Sequence, residues 1–460
     1  MLRSLWLLFL YVSFIGLGIA APFVLTLGYV WVDTFQPQLV AYIILNQLPV
    51  AMIMGAAAFV GYFALDRRAP PRPTLIHLLH VVMAIWVTVT LIWAEAPDSA
   101  WDKWDWAFKT LAFSAFVPLV IRSRVQIEAF AQTYVFSLAA NFVPFGLKTL
   151  ISGGGYGTNL GLTQGNYGLA EGGQLSTVCL MAVPIALFLS RHSQLLPKFK
   201  LMPLGYYAIA GLAIVTALGT YERSALIGLV VLGAYMLTQS RRKVLFGCLV
   251  AIIGVTIVYT ASSRWEARIK TIGHFEQENS AYTRILVWKW TLGYIEDHPL
   301  GGGFNAYLID HIDFPPDPEH PGGFTEFGRA FHSIYFEILG EQGIPGIILF
   351  LSLVGTMMLS LRRLTKRTRK TPELAWCADL SGALQSGVAV FLTSGAFVSI
   401  AFQPIFWYFV AMSISLRAYV WRVEQQAKPL EGWRHTAQGA VAHGAWRNKG
   451  AGQAVNARLR

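Results

Sequence analysis

Apolar stretches near twenty residues long recur along the whole chain, as at Leu75–Trp93, Leu204–Leu218 and Ile344–Leu361. They constrain the fold more than any single residue does. A stretch of that length sits in lipid as a helix, because each backbone N–H and C=O must then find its partner within the segment. Hydrophobic residues make up 55% of the chain and charged residues 13%, about half the charge of a soluble domain. The chain therefore reads as an all-α polytopic membrane protein with about twelve transmembrane helices and one large loop subdomain. The spans are expected near 4–20, 41–65, 75–94, 105–121, 126–150, 168–190, 203–219, 224–240, 243–261, 333–360, 380–397 and 401–420. No small-residue cleavage site follows the first run, so it is expected to stay as an anchor. Ala21–Val32 is also apolar, and the sequence leaves open whether it forms a short re-entrant helix after Pro22. Cys179, Cys248 and Cys377 have no ligand or disulfide spacing and read as packing residues.

Three regions follow: an N-terminal membrane region over 1–190, a membrane core over 191–420 that contains the loop 262–332, and a basic Ala/Gly-rich tail over 421–460. The glycine-rich stretch over 151–167 reads as a flexible loop. The tail reads as disordered against the inner membrane surface. The net charge is +11, yet its distribution is not that of a nucleic-acid binder. Basic clusters fall at Arg67/Arg68/Arg72, Arg122/Arg124, Arg191/Lys198/Lys200, Arg241/Arg242/Lys243 and the run Arg362–Lys370, on every second connector. The connectors between them are acidic, with Glu95, Asp98, Asp102 and Asp105 as one example. This alternation follows the positive-inside rule and puts the loop 262–332 on the extracytoplasmic side, with both termini inside.

Polar chemistry concentrates in that loop. It carries Arg264, Arg268, Lys270, Arg284, Arg329 and five histidines. Ser280–His298 has helical periodicity, with Arg284 and Trp288 one turn apart on a shared face. Pro299 and Gly301–Gly303 end that helix, Phe314–Gly323 is too rich in Pro and Gly for regular structure, and Ala330–Phe336 re-enters a helix.

His332, at the mouth of that helix, is the sharpest chemical candidate. A neutral imidazole there can take a proton from an attacking hydroxyl near pH 7, although interfacial histidines are often satisfied by a backbone carbonyl. Arg223, in GTYERSAL, lies in so short a connector that its guanidinium stays at membrane depth or just outside; there it pairs with the adjacent Glu222, snorkels to the interface or binds an anion. Together Arg223 and Arg284 can clamp a pyrophosphate, and Arg264 and Arg268 can widen the clamp. His298, His311 and His320 lie among acids but lack paired ligand spacing, so neither metal nor other cofactor is expected. No G-x-S-x-G elbow is present.

Three segments, in this order, resemble the O-antigen ligase and polymerase family of bacterial envelopes. They are the turn Arg223-Ser224-Ala225, the stretch AYTRILVW…HPLGGGF with Arg284, and HSIYFEILGEQGIPG with His332, Glu341, Gly343 and Gly346. The N-terminal half, through WVDTFQPQ and GGGYGTNLGLTQGNY, is similar to a subgroup of O-glycosylation ligases of exosortase-type systems. The resemblance implies a multi-pass protein of the bacterial inner membrane with its active site facing the periplasm. It implies transfer of a glycan from an undecaprenyl-diphosphate carrier to a hydroxyl on a glycolipid, glycan or protein, without metal. By that resemblance Arg223 and Arg284 bind the diphosphate and His332 serves the acceptor. Tyr282, Trp288, Tyr335 and Glu341 are expected near the substrates. A polymerase of the same family differs only in its acceptor. A transporter or flippase would instead place ionisable residues along a midplane path, and here most charges lie at helix ends.

Overall fold

The computed structural model describes residues 2–152, 171–197, 199–239, 279–314 and 321–427. The expected span at 243–261, the glycine-rich stretch from 153 onward, Arg264, Arg268, Lys270, His320 and the tail from 428 lie outside them. In chain order the described helices are α1 Leu2–Ala20, α2 Phe23–Phe35, α3 Pro37–Val40, α4 Val50–Leu65 and α5 Leu75–Val89. They continue as α6 Pro97–Val120, α7 Arg124–Ser152, α8 Gly172–His192, α9 Met202–Gly219 and α10 Arg223–Gln239. The last four are α11 Asn279–Asp297, α12 Ile334–Thr368, α13 Ala375–Ser394 and α14 Pro404–Ala427.

Seven of the described helical segments are long and apolar enough to cross a membrane, by length and composition. α4 and α10 are apolar but shorter, and α6 and α14, each of 24 residues, carry more charge. One expectation about the N-terminal region needs correcting. The span placed at 41–65 starts only at Val50, because Asn46, Gln47 and Pro49 interrupt the apolar run with polar side chains and a residue that cannot donate. The segment after Pro22 is a distinct 13-residue helix, α2, buried along most of its length. That length suits a helix enclosed by others.

The all-α expectation is corrected within the loop. His311–Phe314 (β1) and Phe324–Phe327 (β2) pair as an antiparallel hairpin. Phe314, expected in an irregular stretch, closes β1, and helix α12 begins at Ile334 rather than at Ala330. HIDF and FTEF each alternate, with Ile312 buried and His311 and Asp313 exposed. Two short alternating strands can pair through Pro- and Gly-rich intervening sequence because the strands themselves contain neither residue.

One junction positions everything that follows. Helix α12 is broken at Gly343, whose backbone has φ 67° and ψ −169°. Into this break fits the HPLGGG turn that follows α11. Gly302 N donates to Gly340 O, Gly303 N to Glu341 O and Ile344 N to Pro299 O, each at 2.9 Å. A Cβ on Gly343 would lie 2.3 Å from the Leu300 carbonyl carbon, so the approach of the two backbones requires glycine. Gly301–Gly303 therefore stops a helix and docks it, with the N–H groups of all three glycines donated to carbonyls of His298, Gly340 and Glu341.

The end of α5, the short 3-10 turn Thr90–Trp93 and the start of α6 close the junction from the N-terminal side. Trp86 Nε1 donates to Gln342 O at 2.9 Å, Trp93 Nε1 to Gly301 O at 3.0 Å, and Glu95 N to Gly302 O at 2.8 Å. Lys103 of α6 reaches two carboxylates of α12, Glu337 at 2.8 Å and Glu341 at 2.7 Å, and all three side chains are nearly or fully buried. At the opposite end of the bundle stand the basic clusters. There Arg122 donates to Ala69 O, Arg422 to Arg122 O, and Arg367 pairs with Glu424.

Candidate active site

α11 is held parallel to the chain that leads into α12 by its own side chains. Trp288 donates Nε1–H to Phe331 O at 2.9 Å and stacks on Phe336, with centroids 4.9 Å apart and planes 2° from parallel. Val287 packs with Ile312 and Phe331 in a small core beneath the loop. Trp288, expected near substrate, thus fixes the backbone on either side of His332.

His332 has φ 46°, a left-handed conformation that costs a β-carbon-bearing residue on the order of 1–3 kcal/mol. The neighbours enforce it. Phe331 is locked in the small core, and Ser333 caps α12 by accepting from Tyr335 N at 3.3 Å. The strain turns the imidazole toward a cavity of about 260 Å³ that it shares with Arg284, Thr283 and Arg329. Burial, with Arg284 and Arg329 adding to it, pushes the His332 imidazole down to about 4. It is therefore neutral at pH 7 and able to accept a proton, though as a weak base until an anion offsets the two cations.

Arg329 was not among the residues expected at a site. Its guanidinium pairs with Glu326, and its backbone N–H donates to Asp310 Oδ1 at 2.9 Å. Burial pushes the Asp310 carboxyl up to about 6. Its sequence signal was slight: an arginine three residues before His332, after an alternating strand. Glu171, at the N-cap position of α8 at the same end, was also missed. Burial raises its carboxyl and the Arg284 charge pulls it back.

The other expected residues divide. Arg284 and His332 share the cavity; Tyr282 stands behind its wall, with its ring 6.4 Å from that of Phe314. Arg223 opens α10 at the same end but does not line the cavity. Its neighbour Ser224 accepts a hydrogen bond from Ser394 at 3.0 Å, and the adjoining Gly395 packs on Ile334. Tyr335 donates to Leu392 O at 2.8 Å and so ties α12 to α13. Glu341 is fully buried, held by Lys103 and by Asn305 N at 2.9 Å. Tyr335 and Glu341 therefore support the site from behind. His298 stacks on Tyr294 and His311 lies exposed on the hairpin's outer face.

Two cations beside a neutral, proton-accepting imidazole suit an anionic leaving group next to a hydroxyl. Residues 2–194 match a family of unknown function (DUF5935). No curated protein matches the chain. Residues 208–351, which hold Arg223, Arg284, Arg329, His332 and the glycine junction, match the O-antigen ligase family. The chain is thus a multi-pass membrane protein that carries an O-antigen ligase family domain.

Proposed function

We propose that this protein transfers a glycan from an undecaprenyl-diphosphate carrier to an acceptor hydroxyl at the periplasmic face of the bacterial inner membrane. One observation carries the reading: within the ligase-family domain, Arg284, Arg329 and a neutral His332 share one cavity at the loop end of the bundle. The acceptor oxygen attacks the anomeric carbon, and the bond from that carbon to the diphosphate oxygen breaks with its electron pair on the diphosphate. The acceptor's proton passes to His332. The leaving group is already good, so the work lies in charge stabilisation and positioning. Arg284 and Arg329 supply charge at the cavity, and Arg223, at the head of α10, adds a second forked hold on the diphosphate. The basic clusters at the opposite end support a periplasmic loop.

The test is transfer by purified protein in proteoliposomes given lipid-linked glycan and an acceptor fraction. Arg284→Ala should lose donor use, and Arg284→Lys should recover only part of it. His332→Ala should bind donor yet transfer 10²–10⁴-fold more slowly, on the order expected for a lost proton acceptor. Full activity in both alanine variants would refute the reading. Cysteines placed at Asn305 and Asn448 should differ in labelling by an impermeant thiol reagent on spheroplasts; equal labelling would refute the orientation. The glycoconjugate that disappears on gene deletion identifies the acceptor and so separates ligation from polymerisation.

A further inference from the structure

The cavity that holds Arg284 and His332 has a second wall that the transfer chemistry does not use. The hairpin builds it. Register places Phe314 opposite Phe324 and Ile312 opposite Glu326, and strand alternation sends these four side chains to one face. Ile312 disappears into the small core with Val287 and Phe331. The other three line the cavity. The two phenylalanine rings stack with centroids 4.6 Å apart and planes 3° from parallel, and Tyr282 backs Phe314. Glu326 pairs with Arg329 through Oε1, whereas its Oε2 is buried with no hydrogen-bond partner among the described residues.

A buried carboxylate oxygen left unpaired is costly and calls for a donor. An occupant matched to this lining brings hydroxyl or amide donors to Glu326, an apolar face to the rings and negative charge toward Arg284. A bare diphosphate is repelled by Glu326 and gains nothing from the rings. An alkyl chain leaves Glu326 unsatisfied. A pyranose bonded to a diphosphate meets all three demands, and a cavity of about 260 Å³ has room for one such ring. We infer that the β1–β2 hairpin forms a subsite for the sugar attached directly to the donor's diphosphate. Phe314 and Phe324 receive its C–H face, and Glu326 receives its hydroxyls. This rests on the lipid-linked-donor reading above and adds to it the element that distinguishes a sugar-bearing carrier from a spent one.

The experiment compares binding of full-length protein in detergent to undecaprenyl diphosphate and to undecaprenyl diphosphate carrying glucose, galactose or N-acetylglucosamine. At least one sugar-bearing lipid should bind about tenfold more tightly than the bare lipid, the size of a small set of contacts. Phe324→Ala should erase that ratio while leaving bare-lipid affinity within about twofold, and the near-isosteric Glu326→Gln should erase it while tightening the bare lipid, which the lost charge no longer repels. Arg284→Ala should weaken both lipids together. If no sugar improves on the bare lipid, or if Phe324→Ala weakens the bare lipid as much, the subsite is refuted while the diphosphate reading stands. If neither lipid binds wild-type protein, the donor reading fails and the subsite falls with it.

Discussion

Replacing Lys103 by Met removes the cation that ties the N-terminal membrane region to the helix carrying the candidate site. Lys103 Nζ lies 2.8 Å from Glu337 and 2.7 Å from Glu341, with side-chain exposures of 12%, 4% and 0%. Each carboxylate keeps one other partner, Ala401 N at 3.0 Å for Glu337 and Asn305 N at 2.9 Å for Glu341. Neither of those neutral partners offsets a full charge. Removing one side of a buried ion pair costs about 3–5 kcal/mol because the other side is left uncompensated. In a chain of this length that is a fall of roughly 5 °C in the unfolding midpoint, read by tryptophan fluorescence at a fixed scan rate. The triple variant Lys103→Met/Glu337→Gln/Glu341→Gln removes all three charges and should recover much of the loss, since neutral groups are cheaper to bury than orphaned ions. Transfer activity should follow the same order, because Glu337 and Glu341 sit on the stretch of α12 between His332 and the Gly343 break. A Lys103→Met protein that melts within about a degree of wild type would refute the argument that this triad couples the two regions. A triple variant worse than the single one would refute its electrostatic basis.

The pH dependence of His332 has a definite sign. Because its imidazole is held near 4 in the free protein, kcat/KM should stay flat down to mildly acidic pH and fall only as pH drops through about 4. The acid limb of kcat should lie higher, because bound diphosphate offsets Arg284 and Arg329; coincident limbs near the ordinary histidine value would contradict the arrangement. Gly343→Ala should destabilise by at least about 1–3 kcal/mol from backbone strain alone, and the added Cβ meets the Leu300 backbone as well. An unchanged midpoint would show that the junction does not need glycine. Purified protein should keep its transfer activity in excess EDTA, since arginines take the charge role here. Activity lost to EDTA and restored by one particular metal would overturn that assignment.

Length and hydropathy alone were enough to read a helical membrane chain, because a bilayer leaves an apolar segment few other ways to satisfy its backbone. The helix of Arg284 and Trp288 was equally legible, since its apolar residues recur at a helical period that local physics enforces. So was the helix stop at Pro299 and the glycines. Only the folded chain decided what those glycines do, because the contact between the HPLGGG turn and the break at Gly343 joins segments some forty residues apart through backbone atoms that leave no side-chain signature. The same holds for Lys103, one lysine in an aromatic-rich stretch, whose partners lie more than two hundred positions away. Glu341 and Tyr335 stood in a motif that reads as chemistry, yet packing gave them supporting places behind the cavity. Arg329 and Glu326 stood in plain view and gained meaning only when the hairpin register set Glu326 with Phe314 and Phe324 on the cavity of His332, with Arg329 paired to it just past β2. Periodicity records which face of an element is apolar. Which two faces meet is settled by the closure of the chain around them.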